Sequence, residues 1–166
     1  MSTNIYSVIT GTGSYIPPRV VTNDDFGATV FMESNGTVIT RPNKEIADKF
    51  QEITTIAERR YISDDMITSD MAHLAAEEAI KAAGIDREEL DYIIVANNFG
   101  DTHPGNTATD HTPAMASKVK QKLGIKNPET IAYDIIFGCP GWVQAVIQAD
   151  YFIKSGDAAK ILVIGA

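Results

Sequence analysis

Cys139 is the only cysteine of this 166-residue chain, and the sequence changes character on either side of it. Ahead lies the short apolar run Ile131 to Phe137. Behind lies Pro140 to Ile153, too long and too apolar for a loop. The thiol is therefore expected where a buried strand turns into a helix. The unpaired N–H groups and positive dipole end of a helix start stabilise a thiolate over a thiol, and a thiolate is the form that attacks a carbonyl carbon. Gly138 permits the sharp turn, and Pro140 suits the first helical position, where a missing N–H is no loss. An isolated cysteine among apolar residues is most often a small buried hydrophobe. The strand-to-helix position is what argues for a nucleophile.

The other residues with chemical potential are weaker candidates. His73 falls within a helix pattern and reads as a surface or packing residue. His103 and His111 lie in a long polar connection with Asp101 and Asp110, and their spacing matches no metal motif, so loop polarity is the reading and no metal is expected. Lys118, Lys120 and Lys122 alternate on one helix and read as a solvated face, with contact to an acidic partner as the alternative.

The elements that must position Cys139 follow from periodicity. Ile5 to Thr10 reads as a first strand, closed by Gly11, Gly13, Pro17 and Pro18. Lys44 to Glu58 carries Ile46, Phe50, Ile53 and Ala57 at helical spacing. Ser69 is placed to cap a helix running from Met71 to Ala83, with Gly84 ending it. Tyr92 to Ala96 is unbroken apolar sequence, as in a parallel strand covered on both faces. Asn97 to His111 has no period, and a connection of that length usually gates or binds something. Thr112 and Pro113 read as the cap and first position of a helix striped by Met115, Ala116, Val119 and Leu123 and ending at Gly124. Then come the strand Ile131 to Ile136, the helix after Cys139, its terminator Gly156, and a strand over Ile161 to Ile164. Strands alternating with helices predict an α/β fold with a mainly parallel sheet.

Composition sets the class. The length fits one domain, and 44% hydrophobic residues fill a core. One cysteine allows no internal disulfide and fits a reducing compartment. Met1 to Tyr6 has no export-signal pattern, and no apolar run approaches the roughly 20 residues of a membrane helix. A cytoplasmic protein is the expectation. A net charge of -8 argues against nucleic acid or an anionic membrane as the main partner. The helix from Trp142 to Ile153 is apolar nearly all round, broken by Gln144, Gln148 and Asp150, so it needs cover on every side, and one sheet covers one. With the sequence ending at Gly165 and Ala166 on a strand, a further layer is expected from a continuation or another chain.

A set of ordered segments carries a resemblance. Gly11-Thr12-Gly13-Ser14-Tyr15-Ile16-Pro17, Val20-Val21-Thr22-Asn23-Asp24-Asp25, Glu58-Arg59-Arg60, Thr68-Ser69-Asp70, Ala82-Ala83-Gly84-Ile85-Asp86, and Asp134 with Gly138-Cys139-Pro140-Gly141-Trp142 resemble β-ketoacyl-acyl carrier protein synthase III of the thiolase superfamily. The resemblance implies a thiolase-like fold: two related α/β halves in five layers, with the nucleophile helix buried in the middle, residues 1–166 forming the N-terminal half. It implies that Cys139 takes an acyl group from a thioester, usually acyl-coenzyme A, and passes it to the carbanion made by decarboxylating malonyl-acyl carrier protein, in a homodimeric enzyme of fatty-acid synthesis that needs no further cofactor. The main-chain N–H of Cys139 is then expected to help bind the thioester oxyanion. The histidine and asparagine that the family uses after decarboxylation belong to the other half, so the isolated chain is expected to be inactive.

The chain also departs from the family. Where a tryptophan and an arginine usually contact coenzyme A, it reads Lys49 and, further on, Ile53, which weakens coenzyme A as donor. The Asn97 to His111 connection is longer than usual, so the acyl pocket near Thr112 is expected to differ. The rival readings are another thiolase-superfamily synthase, of the hydroxymethylglutaryl-coenzyme A synthase or specialised-metabolite kind, a cysteine hydrolase, and a non-catalytic association fragment.

Overall fold

The structure, a computed structural model, describes residues 5–103, 105–106 and 108–166. The chain divides into two compact units. The described part of the larger covers 5–15 and 64–166, and the smaller is Ile16–Ser63.

The larger unit is built on a three-stranded parallel sheet. Its strands β3 (Tyr92–Asn97), β4 (Ile131–Ile136) and β5 (Ile161–Gly165) take the order β4-β3-β5. Tyr92 pairs with Ile131 on one side and Ile161 on the other, and Ala96 with Ile135 and Gly165. The unbroken apolar run thus makes the central strand, buried from Ile93 to Asn97. Ile93 and Val95 join a core with Ala72, Ala76 and Ile80 of α2 (Thr68–Ala83) and Met115, Ala116 and Val119 of α3 (Met115–Lys122). Ala96, pointing the other way, meets α4 (Gly141–Ser155): a Cβ built on Gly141 would lie 3.2 Å from its Cβ. Helices on both faces of a parallel sheet are the expected α/β arrangement.

Ile5 to Thr10 departs from expectation, because it forms no strand. Residues 7–15 and the free edge of β5 instead line an open groove of about 960 Å³, shared with α2 and α4. One edge of β5 is bonded to β3 and the other is free, but this segment makes no strand pairing with it. Gly11 and Gly13 prove to be close-approach glycines. A Cβ on Gly11 would fall 2.4 Å from Ala83 N, and one on Gly13 2.4 Å from Ala75 O, so only glycine lets this backbone lie on α2.

Two helix starts also differ. Ser69 lies inside α2, fully buried, and is not its cap. Asp70 Oδ2 accepts the Ile67 N–H at 2.9 Å, and Asp101 Oδ1 accepts the Ser69 N–H at 2.8 Å. Thr112 and Pro113 stand outside α3, whose first N–H groups, those of Met115 and Ala116, donate to Asp134 Oδ2 and Oδ1 at 2.7 and 2.8 Å. A carboxylate from the neighbouring strand therefore replaces the local cap.

The connection from β3 to α3 is tied at its neck. Asp101 and Asp110 form an antiparallel bridge through both main-chain hydrogen bonds. Lys118 of α3 spans the two side chains, reaching Asp101 Oδ2 at 3.1 Å, Asp110 Oδ2 at 2.8 Å and Asp110 O at 3.3 Å. Burial alone would lower the Lys118 pKa, but its bonds to Asp110 and Asp101 outweigh that and raise it. The Lys118 hydrogen bond holds the Asp110 carboxyl below its ordinary value.

The smaller unit pairs β1 (Arg19–Thr22) antiparallel with β2 (Glu58–Tyr61), beside α1 (Asn43–Thr54). Asn23 is its hub: its Nδ2 donates to Gln51 Oε1 and Ile56 O, and its Oδ1 accepts from Arg59, whose guanidinium lies 5.0 Å from the Phe26 ring centroid. The helix expected over Lys44 to Glu58 stops early because Thr55 adopts the left-handed conformation, φ 60°, which frees Glu58 for β2.

Three outcomes follow. Thr55→Gly is expected to raise stability by about 1 kcal/mol, since a β-branched residue is strained there, as read by urea unfolding. Asp134→Ala, leaving two N–H groups at the α3 start without their acceptor, is expected to cost about 1 to 2 kcal/mol in the same assay. The network also sets a pH dependence. Asp110, held below 3.8, contributes stability that is complete above that value and lost as pH falls past it. Lys118, held above 10.5, contributes stability that is complete below that value and lost as pH rises past it. Melting temperature scanned against pH should fall at both ends, and the Lys118→Met variant should lose the alkaline limb and show a weakened acid limb, because Lys118 is the main cause of the lowered Asp110 pKa.

Candidate active site

Cys139 stands where the sequence places it, between β4 and α4. Gly138 takes φ 73°, a left-handed turn that turns the chain out of β4. Gly141 N donates to Gly138 O at 2.9 Å to close that turn, and Gln144 N donates to Pro140 O at 3.0 Å as the helix begins. Pro140 is thus the residue just before the helix, one position earlier than expected. The thiol is exposed and unpaired in any disulfide.

The electrostatics of the junction are set by what is missing from it. The starts of α2 and α3 are each met by a carboxylate, whereas α4 has no acidic residue in its first turn and no side-chain cap. Its positive end is left to Cys139. The N–H groups of such a helix start favour negative charge developing on a thioester oxygen brought to it. The surroundings are apolar: Phe137, Trp142 and Val143 are each about half exposed beside the thiol. Trp142 lies over the end of β5, where a Cβ on Gly165 would come within 3.1 Å of its ring. The arrangement suits capture of an acyl group with an apolar chain.

Within this chain α4 is covered on one face only. Gly141, Ala145 and Ala149 are buried, while Trp142, Val143, Ile147 and Tyr151 form an exposed stripe. The apolar character read from the sequence is therefore only half used by these residues.

The histidines do not join the thiol. His73 sits on α2 with Nδ1 buried and unpartnered, His103 is exposed, and His111 Nε2 is 3.1 Å from Thr109 Oγ1. Among the described residues no side chain hydrogen-bonds to Cys139, and no group of acidic, histidine or cysteine side chains could hold a metal ion. Of the lysines expected as a solvated face, Lys118 and Lys120 are part-buried, while Lys122 is exposed as expected but paired. Lys118 bridges Asp101 and Asp110, Lys120 Nζ donates to Thr130 O at 2.7 Å, and Lys122 Nζ to Asp70 Oδ1 at 2.5 Å. In the smaller unit, Lys49 pairs with Glu52 at 2.9 Å and Ile53 is 70% exposed. No helix is long and apolar enough to cross a membrane among the described residues.

Sequence reasoning missed Asp101 and Lys118 as partners. A lysine and an aspartate in polar sequence read the same whether solvated or buried together, and only the exposure of the Asp101 side chain, 1%, separates the cases.

Comparison with known proteins agrees with this geometry. The family model for 3-oxoacyl-[acyl-carrier-protein (ACP)] synthase III matches residues 133–166, from β4 through Cys139 to the end of β5. A β-ketoacyl-[acyl-carrier-protein] synthase III of Xanthomonas campestris pv. campestris is 38% identical over 168 aligned residues, covering 100% of this chain and 44% of the relative. The Ehrlichia canis protein of the same name is 42% identical, with coverage of 96% and 43%. Among solved structures, the synthase III of Thermus thermophilus superposes with a TM-score of 0.73 at 32% identity, covering 96% of this chain and 42% of that one. The Aquifex aeolicus 3-oxoacyl-[acyl-carrier-protein] synthase III gives 0.72 at 36% identity, with coverage of 95% and 44%. The chain spans a little under half the length of the relatives it matches. Its thiolase-like α/β fold is thereby shown, and over its whole length the chain is similar to under half of a β-ketoacyl-[acyl-carrier-protein] synthase III.

Proposed function

We propose that this chain supplies the acyl-accepting thiol of a condensing enzyme of fatty-acid type synthesis. The observation that carries the reading is an exposed Cys139 at the start of α4, the helix start that no carboxylate caps. In the first step the Cys139 thiolate attacks a thioester carbonyl carbon; the new C–S bond forms, the old one breaks, and the donor thiol leaves with a proton. In the second, malonyl-acyl carrier protein loses carbon dioxide, and the electron pair left behind attacks the acyl carbon. The 3-oxoacyl product departs on the carrier and the thiolate is restored. Splitting carbon–carbon bond formation into acylation and condensation is what covalent catalysis provides. No cofactor beyond the thioester substrates takes part.

The full-length protein is the active species, as a homodimer in the cytoplasm, with the acyl donor and malonyl-acyl carrier protein as its partners. Support for further protein around α4 is its exposed apolar stripe, a kind of surface usually covered by another element. Lys49, engaged with Glu52, and the apolar Ile53 favour an acyl thioester other than coenzyme A as donor. The residues that assist decarboxylation come from outside this chain, since none of its histidines touches Cys139.

The test is acyl trapping. Full-length protein incubated with acetyl-coenzyme A, and separately with acyl-carrier proteins bearing different chains, should gain the acyl mass on the peptide containing Cys139, and Cys139→Ala should gain none. No adduct from any thioester would remove the acyl-transfer claim. The 166-residue chain alone should release no carbon dioxide from malonyl-acyl carrier protein, and release by it would contradict the reliance on residues outside this chain.

A further inference from the structure

The connection between β3 and α3 is anchored at both ends to the strand that delivers Cys139. Asn97, the last residue of β3, stands in register with Ile136 of β4, three positions before the thiol. At the other end, Met115 and Ala116 are bound by Asp134, five positions before the thiol. The limb 97–101 turns through a hydrogen bond from Gly100 N to Asn97 Oδ1 at 2.9 Å, and it carries Phe99, 68% exposed. The limb 110–114 returns beside it, and a Cβ on Gly100 would lie 2.5 Å from Asp110 O. To the main-chain bridge between Asp101 and Asp110, Lys118 adds a side-chain clamp. An ammonium has three N–H donors, and Lys118 gives all three away, to Asp101 Oδ2, Asp110 Oδ2 and Asp110 O. Asp101 uses its other oxygen on the Ser69 N–H of α2. One cation thus joins both limbs to two helices at the carboxyl end of the sheet, the end where ligands of open α/β sheets bind.

We propose that Lys118 is a positioning residue for acyl loading, latching the limbs 97–101 and 110–114 into the wall along which the thioester approaches Cys139. The inference rests on the acyl-transfer reading above. Lys118 touches neither the thiol nor the acyl donor. It acts through the limbs, so its loss changes how the donor is seated and leaves the thiol itself as reactive as before.

The latch is opened with two variants of the full-length protein. Lys118→Met strands the buried Asp101 carboxylate and risks misfolding. Asp101→Asn/Lys118→Met removes both charges together and keeps an oxygen for the Ser69 N–H. Hydrogen exchange of the amides of Asp101 and Asp110, the KM and saturating rate of Cys139 acylation, and alkylation of Cys139 by iodoacetamide are measured on wild type and double variant. The expected result is faster exchange at both amides and a KM for the acyl donor raised about tenfold or more, with the saturating rate and the iodoacetamide rate within about twofold of wild type. Unchanged exchange overturns the latch. Faster exchange with an unchanged KM, or a loss confined to the saturating rate, overturns the positioning role. A wild-type protein that accepts no thioester overturns the acyl-transfer reading, and the positioning role with it, while the exchange data still decide the latch.

Discussion

A helix that starts inside a protein leaves several N–H groups without partners, and in the larger unit the disposition of carboxylates toward those groups organises everything else. Asp101 meets the start of α2 and Asp134 the start of α3, each from the end of a neighbouring strand or just beyond it. These three hydrogen bonds tie the two helix starts to β4 and to the chain just beyond β3. The third helix start, that of α4, is spared such a partner. Had an aspartate stood there too, its charge would compete with a cysteine thiolate for the same N–H groups. The positive end of α4 is available to chemistry because the other two helix starts are satisfied elsewhere.

Close packing makes this geometry stiff. Ala96 against Gly141 and Trp142 against Gly165 set the start of α4 on the central and edge strands with no side chain in the way. Gly11 and Gly13 bring a chain segment onto the alanine face of α2 in the same manner. Small residues here allow close approach: a methyl group added at Gly11 or Gly13 has to displace backbone, one at Gly165 presses on the Trp142 ring, and one at Gly141 presses on the Ala96 Cβ.

The elements that fill the core were legible because burial leaves a pattern. The run Tyr92 to Ala96, the stripe Met115, Ala116, Val119, and the strand-to-helix change at Cys139 all name their own positions. Gly84 and Gly156 mark helix ends, where both take positive φ. The pairing of β1 with β2 was not legible, since Arg19-Val20-Val21-Thr22 and Glu58-Arg59-Arg60-Tyr61 are too short and too charged to alternate clearly. Ile5 to Thr10 failed for the opposite reason. Its composition is that of a strand, but composition does not record whether a segment beside a free sheet edge pairs with it. The site divided similarly: Cys139 was visible from local sequence, while the partners of Asp101, Asp134 and Lys118 lie on other elements, and nothing in a single sequence records which charges share a burial site.

The pairing of lysines along α3 with carboxylates changes the field that this chain presents at a distance. An ammonium paired with a carboxylate projects a dipole, which fades faster with separation than a charge. Lys118 and Lys122 are paired in this way with Asp101, Asp110 and Asp70, whereas Lys120 donates to the neutral carbonyl of Thr130 and keeps its charge. In a chain already at -8, that stretch of helix offers an anionic macromolecule little more than the charge of Lys120. Any long-range guidance of such a visitor toward Cys139 has to originate on cations that are not committed in this way.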